Sequence, residues 1–127
     1  VNAIWEGSGN IQCLDVLRAT SKTPSVVGAY FDEVLKARGG HASLDRHMAQ
    51  LQAELHDSAD IEVRARSLVD RMATILQAAL LVQHAPDWTA DAFCRSRLDG
   101  AGHHQFGALP AGVQFDRIIE RAMPREE

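Results

Sequence analysis

Residues 60–84 read DIEVRARSLVDRMATILQAALLVQH. Ile61, Leu68, Ile75 and Val82 recur every seven residues, with Ala65, Met72 and Ala79 between them. That period marks one apolar stripe along an α-helix. Val69, Leu76, Leu80 and Leu81 widen the stripe, so the second half of the helix is expected to be buried on most sides. Asp60 is placed to open it, and Pro86 to end it. At 1.5 Å per residue the element would span about 36 Å, a central rod for shorter helices to pack against.

The sequence on either side reads as those shorter helices. Upstream, residues 43–56 carry Leu44, Met48, Leu51 and Leu55 on one face, with Ser43 and Asp45 in place to cap the start. Before them, Thr23-Pro24 suits an N-cap followed by the first helical residue. Val27, Tyr30, Phe31, Val34 and Leu35 then follow at amphipathic spacing until Gly39-Gly40. Residues 8–22 form the first helix, with Ser8 or Asn10 as cap and Ile11, Leu14 and Leu17 on one side. Downstream, Asp87 caps a short helix whose Trp88, Ala92, Phe93 and Leu98 point inward. Residues 99–107 form a glycine-rich loop, and a last helix over about 111–122 buries Val113, Phe115, Ile118, Ile119 and Ala122. No strand alternation, repeat or low-complexity tract interrupts the pattern. The expected fold is all-α, an antiparallel bundle of five or six helices.

Composition narrows the function classes. The 127 residues are 46% hydrophobic and 24% charged, ordinary for a globular domain and unlike a disordered chain. The longest apolar run, Ala78–Val82, is far below the roughly 20 residues of a membrane span, so no membrane role is expected. The net charge of −4 gives no compositional support for a dedicated nucleic-acid domain. Two cysteines, Cys13 and Cys94, do not make a disulfide framework and read as small core residues of a cytoplasmic protein. Six histidines lie without ligand spacing, so no metal site is expected. The chain opens on Val1 with no basic segment before an apolar one, and reads as a piece of a longer protein.

The densest chemistry lies in Ile4-Trp5-Glu6-Gly7-Ser8-Gly9-Asn10-Ile11-Gln12, a turn entering a helix. Gly7 and Gly9 permit close ligand approach, the helix start offers backbone N–H groups to an anion, and Ser8 and Asn10 can hydrogen-bond phosphate or ribose. Glu6 beside Trp5 is a carboxylate against apolar surface, which suits general-base work. The same residues also read as a capped helix start with a solvated glutamate.

This segment resembles the C-terminal signature of the acyl-CoA dehydrogenases, aromatic-Glu-Gly-Thr/Ser followed two residues on by a polar residue and then Ile-Gln. Residues 1–18, VNAIWEGSGNIQCLDVLR, are similar to the alkylation-response, AidB-like branch, and the later helices are weakly similar to that branch's C-terminal extension. The resemblance implies that residues 1–22 close the family's helical domain and that 23–127 form the extension. It implies Glu6 as the base that takes the α-proton of an acyl-CoA thioester. It implies Ser8, Gly9 and Asn10 as FAD contacts, and Trp5 and Gly7 beside the substrate. Arg18 matches a basic residue closing the signature helix, whereas Cys13 stands where a basic residue is common. Partners implied are the acyl-CoA, an electron acceptor, and further copies, since the family tends to form tetramers. The family's other domains lie outside this sequence, so the chain alone is expected neither to hold FAD tightly nor to turn over substrate.

The AidB-like branch is also linked to DNA binding. Arg64, Arg66, Arg71, Arg95 and Arg97 could make a phosphate-facing stripe for nonspecific double-stranded DNA, but Glu62, Asp70, Asp91 and Asp99 lie among them. Such a mixed face also reads as solvated, with i,i+4 pairs such as Glu62–Arg66. An assembly element that holds subunits together is the remaining alternative.

Overall fold

A computed structural model describes residues 8–57, 59–100 and 107–124. Among them lie six α-helices and no strand: α1 (Ser8–Lys22), α2 (Ser25–Val34), α3 (Ala42–His56), α4 (Ile61–His84), α5 (Asp87–Phe93) and α6 (Phe115–Ala122). A 3₁₀ turn, Leu35–Ala37, prolongs α2, and a π-helical turn, Cys94–Leu98, prolongs α5. The all-α bundle expected from the sequence is the one observed, with α1, α2, α3 and α5 all packed on α4.

The core follows the stripe of α4. Leu68, Ile75, Ala78 and Ala79 are closed from solvent by Phe31 and Val34 of α2, Leu44, Met48 and Leu51 of α3, and Cys94. Tyr30 donates its hydroxyl to the Met72 carbonyl at 2.8 Å and meets Phe31 edge-on, with ring centroids 5.3 Å apart. Burial pushes the Tyr30 phenol well above its ordinary pKa. Gly40 lets the turn after α2 approach α4: a Cβ there would lie 2.4 Å from Val82 Cγ1. A second, smaller cluster joins α1 to the start of α4 through Cys13, Leu17 and Ala65, with Ile61 touching both clusters.

Polar contacts close the junction between α3 and the end of α5. Asp99 accepts from Arg46 at 2.5 Å and pairs with His47 at 3.3 Å. Partial burial pushes the Asp99 carboxyl up, but hydrogen bonds from Ser43, Arg46 and His47 outweigh it and hold the pKa below the usual value. Beside it, His41 Nε2 lies 3.4 Å from Asp91. Arg95 bridges Asp91 at 3.3 Å and the Ala111 carbonyl at 2.6 Å.

Several local expectations are corrected. The cap of α3 is His41, whose Nδ1 accepts from the Ser43 N–H at 3.3 Å. Ser43 is buried instead, and Asp45 reaches back to accept from the Gly39 N–H at 3.1 Å. Asp60 precedes α4 in the left-handed region, φ 50°, without a side-chain cap bond, a conformation aspartate tolerates better than most residues. Arg64 gathers the nearby carbonyls of Asp57 and Ala59. Pro86, not Asp87, precedes α5. Leu80 and Leu35 face solvent despite their place in the stripes, as do Ile11 and Leu14 on α1. Trp88 is half-buried rather than inward.

The largest correction concerns α6. It starts at Phe115 rather than near 111, because Gly112 takes a left-handed φ of 84° that no helix continues through. Val113 is buried, but Phe115, Ile119 and Met123 are 46%, 60% and 62% exposed. No residue of α6 itself is buried. No described helix is long and apolar enough to cross a membrane.

Candidate functional site at the start of α1

Ser8, Gly9 and Asn10 occupy the first turn of α1. Trp5, Glu6 and Gly7 lie outside the described residues. The first backbone N–H groups of a helix have no partner within it, and the first turn of α1 holds no acidic residue. The α1 backbone is held by the Cys13–Leu17–Ala65 cluster, which seats it against α4.

That seating brings in a residue from 56 positions away. Arg66, in the second turn of α4, donates from Nη1 to Asn10 Oδ1 at 2.8 Å. Its guanidinium also lies over Gly9, where a Cβ would be 3.2 Å from Nη2 and 3.7 Å from Cζ. The spacing suggests an i,i+4 pair with Glu62, but the guanidinium reaches across to α1 instead. Among the described residues its hydrogen-bond partner is a neutral amide. The Gly9–Asn10 turn of α1 and Arg66 therefore bring helix N–H groups and a guanidinium together on one edge. Chemically, such an edge can hold an anion.

Arg66 escapes sequence reading as a companion of Ser8, Gly9 and Asn10. The pairing depends on how α1 docks on α4, and the only local hint is the missing side chain at Gly9. Arg18, at the far end of α1, pairs with Asp15 at 2.8 Å in solvent.

The other arginines of the expected stripe go to separate partners. Arg71 grips Glu54 at 2.5 and 2.6 Å and reaches Gln50 at 3.2 Å. Arg64 holds the turn before α4, and Arg95 holds Asp91 and Ala111. Arg97 lines a small pocket of about 90 Å³ with His47, Asp70, Arg71 and Thr74. Cys13 and Cys94 are both buried and free. Burial, then the charges of Asp91 and Asp99, pushes the Cys94 thiol up to about 11, which keeps it from acting as a thiolate. Among the described residues no three His, Cys, Asp or Glu side chains converge as metal ligands would. His103 and His104 lie outside the described residues.

No protein-family model matches the chain. Over 102 residues, 80% of its length, the chain is 34% identical to a protein of Escherichia coli (strain K12). That relative is described as "Putative acyl-CoA dehydrogenase AidB". The chain belongs to the AidB-like acyl-CoA dehydrogenases, and it spans 18% of that relative's length.

Proposed function

We propose that this chain supplies the C-terminal helical part of an FAD-dependent acyl-CoA dehydrogenase-like protein, which introduces a double bond between the α and β carbons of an acyl-CoA thioester. On this reading residues 1–22 complete the catalytic helical domain and residues 23–127 form the extension packed against it. The observation that carries it is the edge where Arg66 meets Gly9 and Asn10, shortly after the Trp5-Glu6-Gly7 signature in sequence. Its donors suit an anionic group such as the diphosphate of FAD. A second observation agrees. The Cys13 and Leu17 side of α1 is buried on α4, whereas Ile11 and Leu14 on the adjoining side are 45% and 42% exposed. A helix lying between the extension and a catalytic body needs two apolar sides.

In this proposal Ser8, Gly9, Asn10 and Arg66 hold and orient the cofactor, Trp5 and Gly7 border the acyl chain, and Glu6 takes the α-proton onto its carboxylate. Bound FAD supplies the acceptor for the β-hydride. The thioester acidifies the α-carbon, which lets a carboxylate serve as the base.

The test uses the full-length protein carrying this segment. Acyl-CoAs of graded chain length are added anaerobically while flavin absorbance is followed, beside Glu6→Gln. The expected result is bleaching by at least one acyl-CoA that slows by about 10²-fold or more in Glu6→Gln. Bleaching by none, or undiminished bleaching in Glu6→Gln, would overturn the assignment.

A further inference from the structure

A groove of about 500 Å³ opens where α1, α2, α3 and the start of α4 meet, at the opposite end of α1 from the Gly9–Arg66 contact. Leu17, Val27, Phe31, Leu55 and Ile61 give it an apolar floor, and its size suits a small organic ligand. Gly28 leaves the mouth open, since a Cβ there would meet nothing within 4 Å.

The rim is one-sided in its hydrogen bonding. Thr20 donates its hydroxyl proton to the Leu17 carbonyl at 2.8 Å, and Ser21 to the Arg18 carbonyl at 3.0 Å. Both oxygens are thus left with lone pairs for a ligand. His56 Nδ1 lies 2.7 Å from the Gln52 carbonyl. A carbonyl only accepts, so Nδ1 carries the proton and the neutral ring offers Nε2 as an acceptor. Asp32 adds a carboxylate and is the one aspartate, glutamate, lysine or arginine in the lining. With the ring neutral, only the Gln52 amide among the lining side chains keeps N–H donors. The surrounding ions pair among themselves: Arg18 with Asp15, Lys36 with Glu33, Arg64 with Asp57 and Arg71 with Glu54. Asp32 enters none of these pairs, and Lys22, the last residue of α1, lies outside the lining. The ends of α1 and α3 and the starts of α2 and α4 all border the groove. Their dipoles oppose one another, which leaves the choice of ligand to the side chains.

The geometry points to a small-molecule site for an amine: an apolar ring body lies over Phe31 and Ile61, and its ammonium pairs with Asp32 on the acceptor-lined rim. The site is separate from the proposed flavin edge and does not depend on that reading.

Three probes with one apolar body test it: 1-naphthylmethylammonium, neutral 1-naphthylmethanol and anionic 1-naphthylacetate. Each is titrated at neutral pH into the 127-residue chain while backbone amide NMR shifts are followed. The ammonium should bind with a Kd of about 1 mM or tighter and shift the amides of Ser21, Gly28, Gln52 and His56. The alcohol should bind more weakly, and the carboxylate weaker still. Asp32→Asn should weaken the ammonium by about tenfold or more and leave the alcohol nearly unchanged. Asp32→Lys should reverse the preference, so that the carboxylate binds better than the ammonium. Gly28→Leu lays a side chain across the mouth and should weaken all three, in a chain whose amide spectrum stays folded because the position has room. Four results would overturn the proposal. One is an ammonium that leaves the groove amides unmoved up to about 10 mM. Another is equal binding of the three probes, which would mark a greasy surface without selection. The third is Asp32→Lys that keeps the original preference. The last is Gly28→Leu that binds the ammonium as the unmodified chain does.

Discussion

Helices α4 and α6 carry the same kind of sequence signal and end in opposite environments. Each has apolar residues repeating on one face. In α4 the stripe is covered by α2, α3 and α5, so that Ile75, Ala78 and Ala79 are almost wholly closed from solvent. In α6 the stripe of Phe115, Ile119 and Met123 stays in water. Periodicity says that a face wants cover; it does not say what supplies it. For α4 the cover lies in nearby sequence, on helices joined to it by short connections. For α6, Arg121 reaches Thr89 and Arg95 holds the Ala111 carbonyl just before the helix, while no residue of the helix itself is buried.

The largest effects should separate the two helices. Ile75→Ala removes a core side chain that is 1% exposed and should cost about 2–5 kcal/mol. Ile119→Ala should stay within about 0.5 kcal/mol in the monomer. Chemical denaturation of both at low concentration checks this, and equal losses would break the comparison. Next, Tyr30→Phe removes the bond to the Met72 carbonyl. It should cost about 0.5–1.5 kcal/mol, read as a lower denaturation midpoint with unchanged slope. Gly28→Ala sharpens the contrast from the other side. Glycine inside α2 lowers helix stability, and the position has room, so the substitution should stabilise by about 0.5–1 kcal/mol.

The smallest effect is a pH dependence at the α3–α5 junction. Asp99 has a folded pKa below its unfolded value of about 3.9. The folded protein therefore binds its proton less readily than the unfolded chain. The contribution of Asp99 is complete above the unfolded pKa and disappears as pH falls through the lower folded value. Thermal melts from neutral to acid pH should show part of the acid loss removed in Asp99→Asn, whose stability is lower at neutral pH.

The helical class and the extents of α1, α3 and α4 were legible because each rests on local periodicity bounded by Pro, Gly or a polar start. The capping residues were less so. Ser43 looks like the cap of α3 until packing buries it, and a histidine does the work from two positions earlier. The π-helical turn at Cys94–Leu98, closed by the Asp99 N–H to the Cys94 carbonyl at 3.2 Å, leaves no mark in an i,i+4 pattern. Exposure of α6 was illegible because a stripe alone carries no information about its partner. Of the candidate site, the placement of Ser8, Gly9 and Asn10 on the first turn of α1 follows from local sequence. Arg66 does not, because it reaches Asn10 from another helix through tertiary docking.

Backbone hydrogen exchange across the whole chain tests the contrast between α4 and α6 most directly. At low concentration the amides of 65–79 should exchange through global unfolding only, and those of 115–122 should exchange through local opening, orders of magnitude faster. Equal protection of α4 and α6 in the monomer would show that the stripe of α6 is already covered, and would contradict the account.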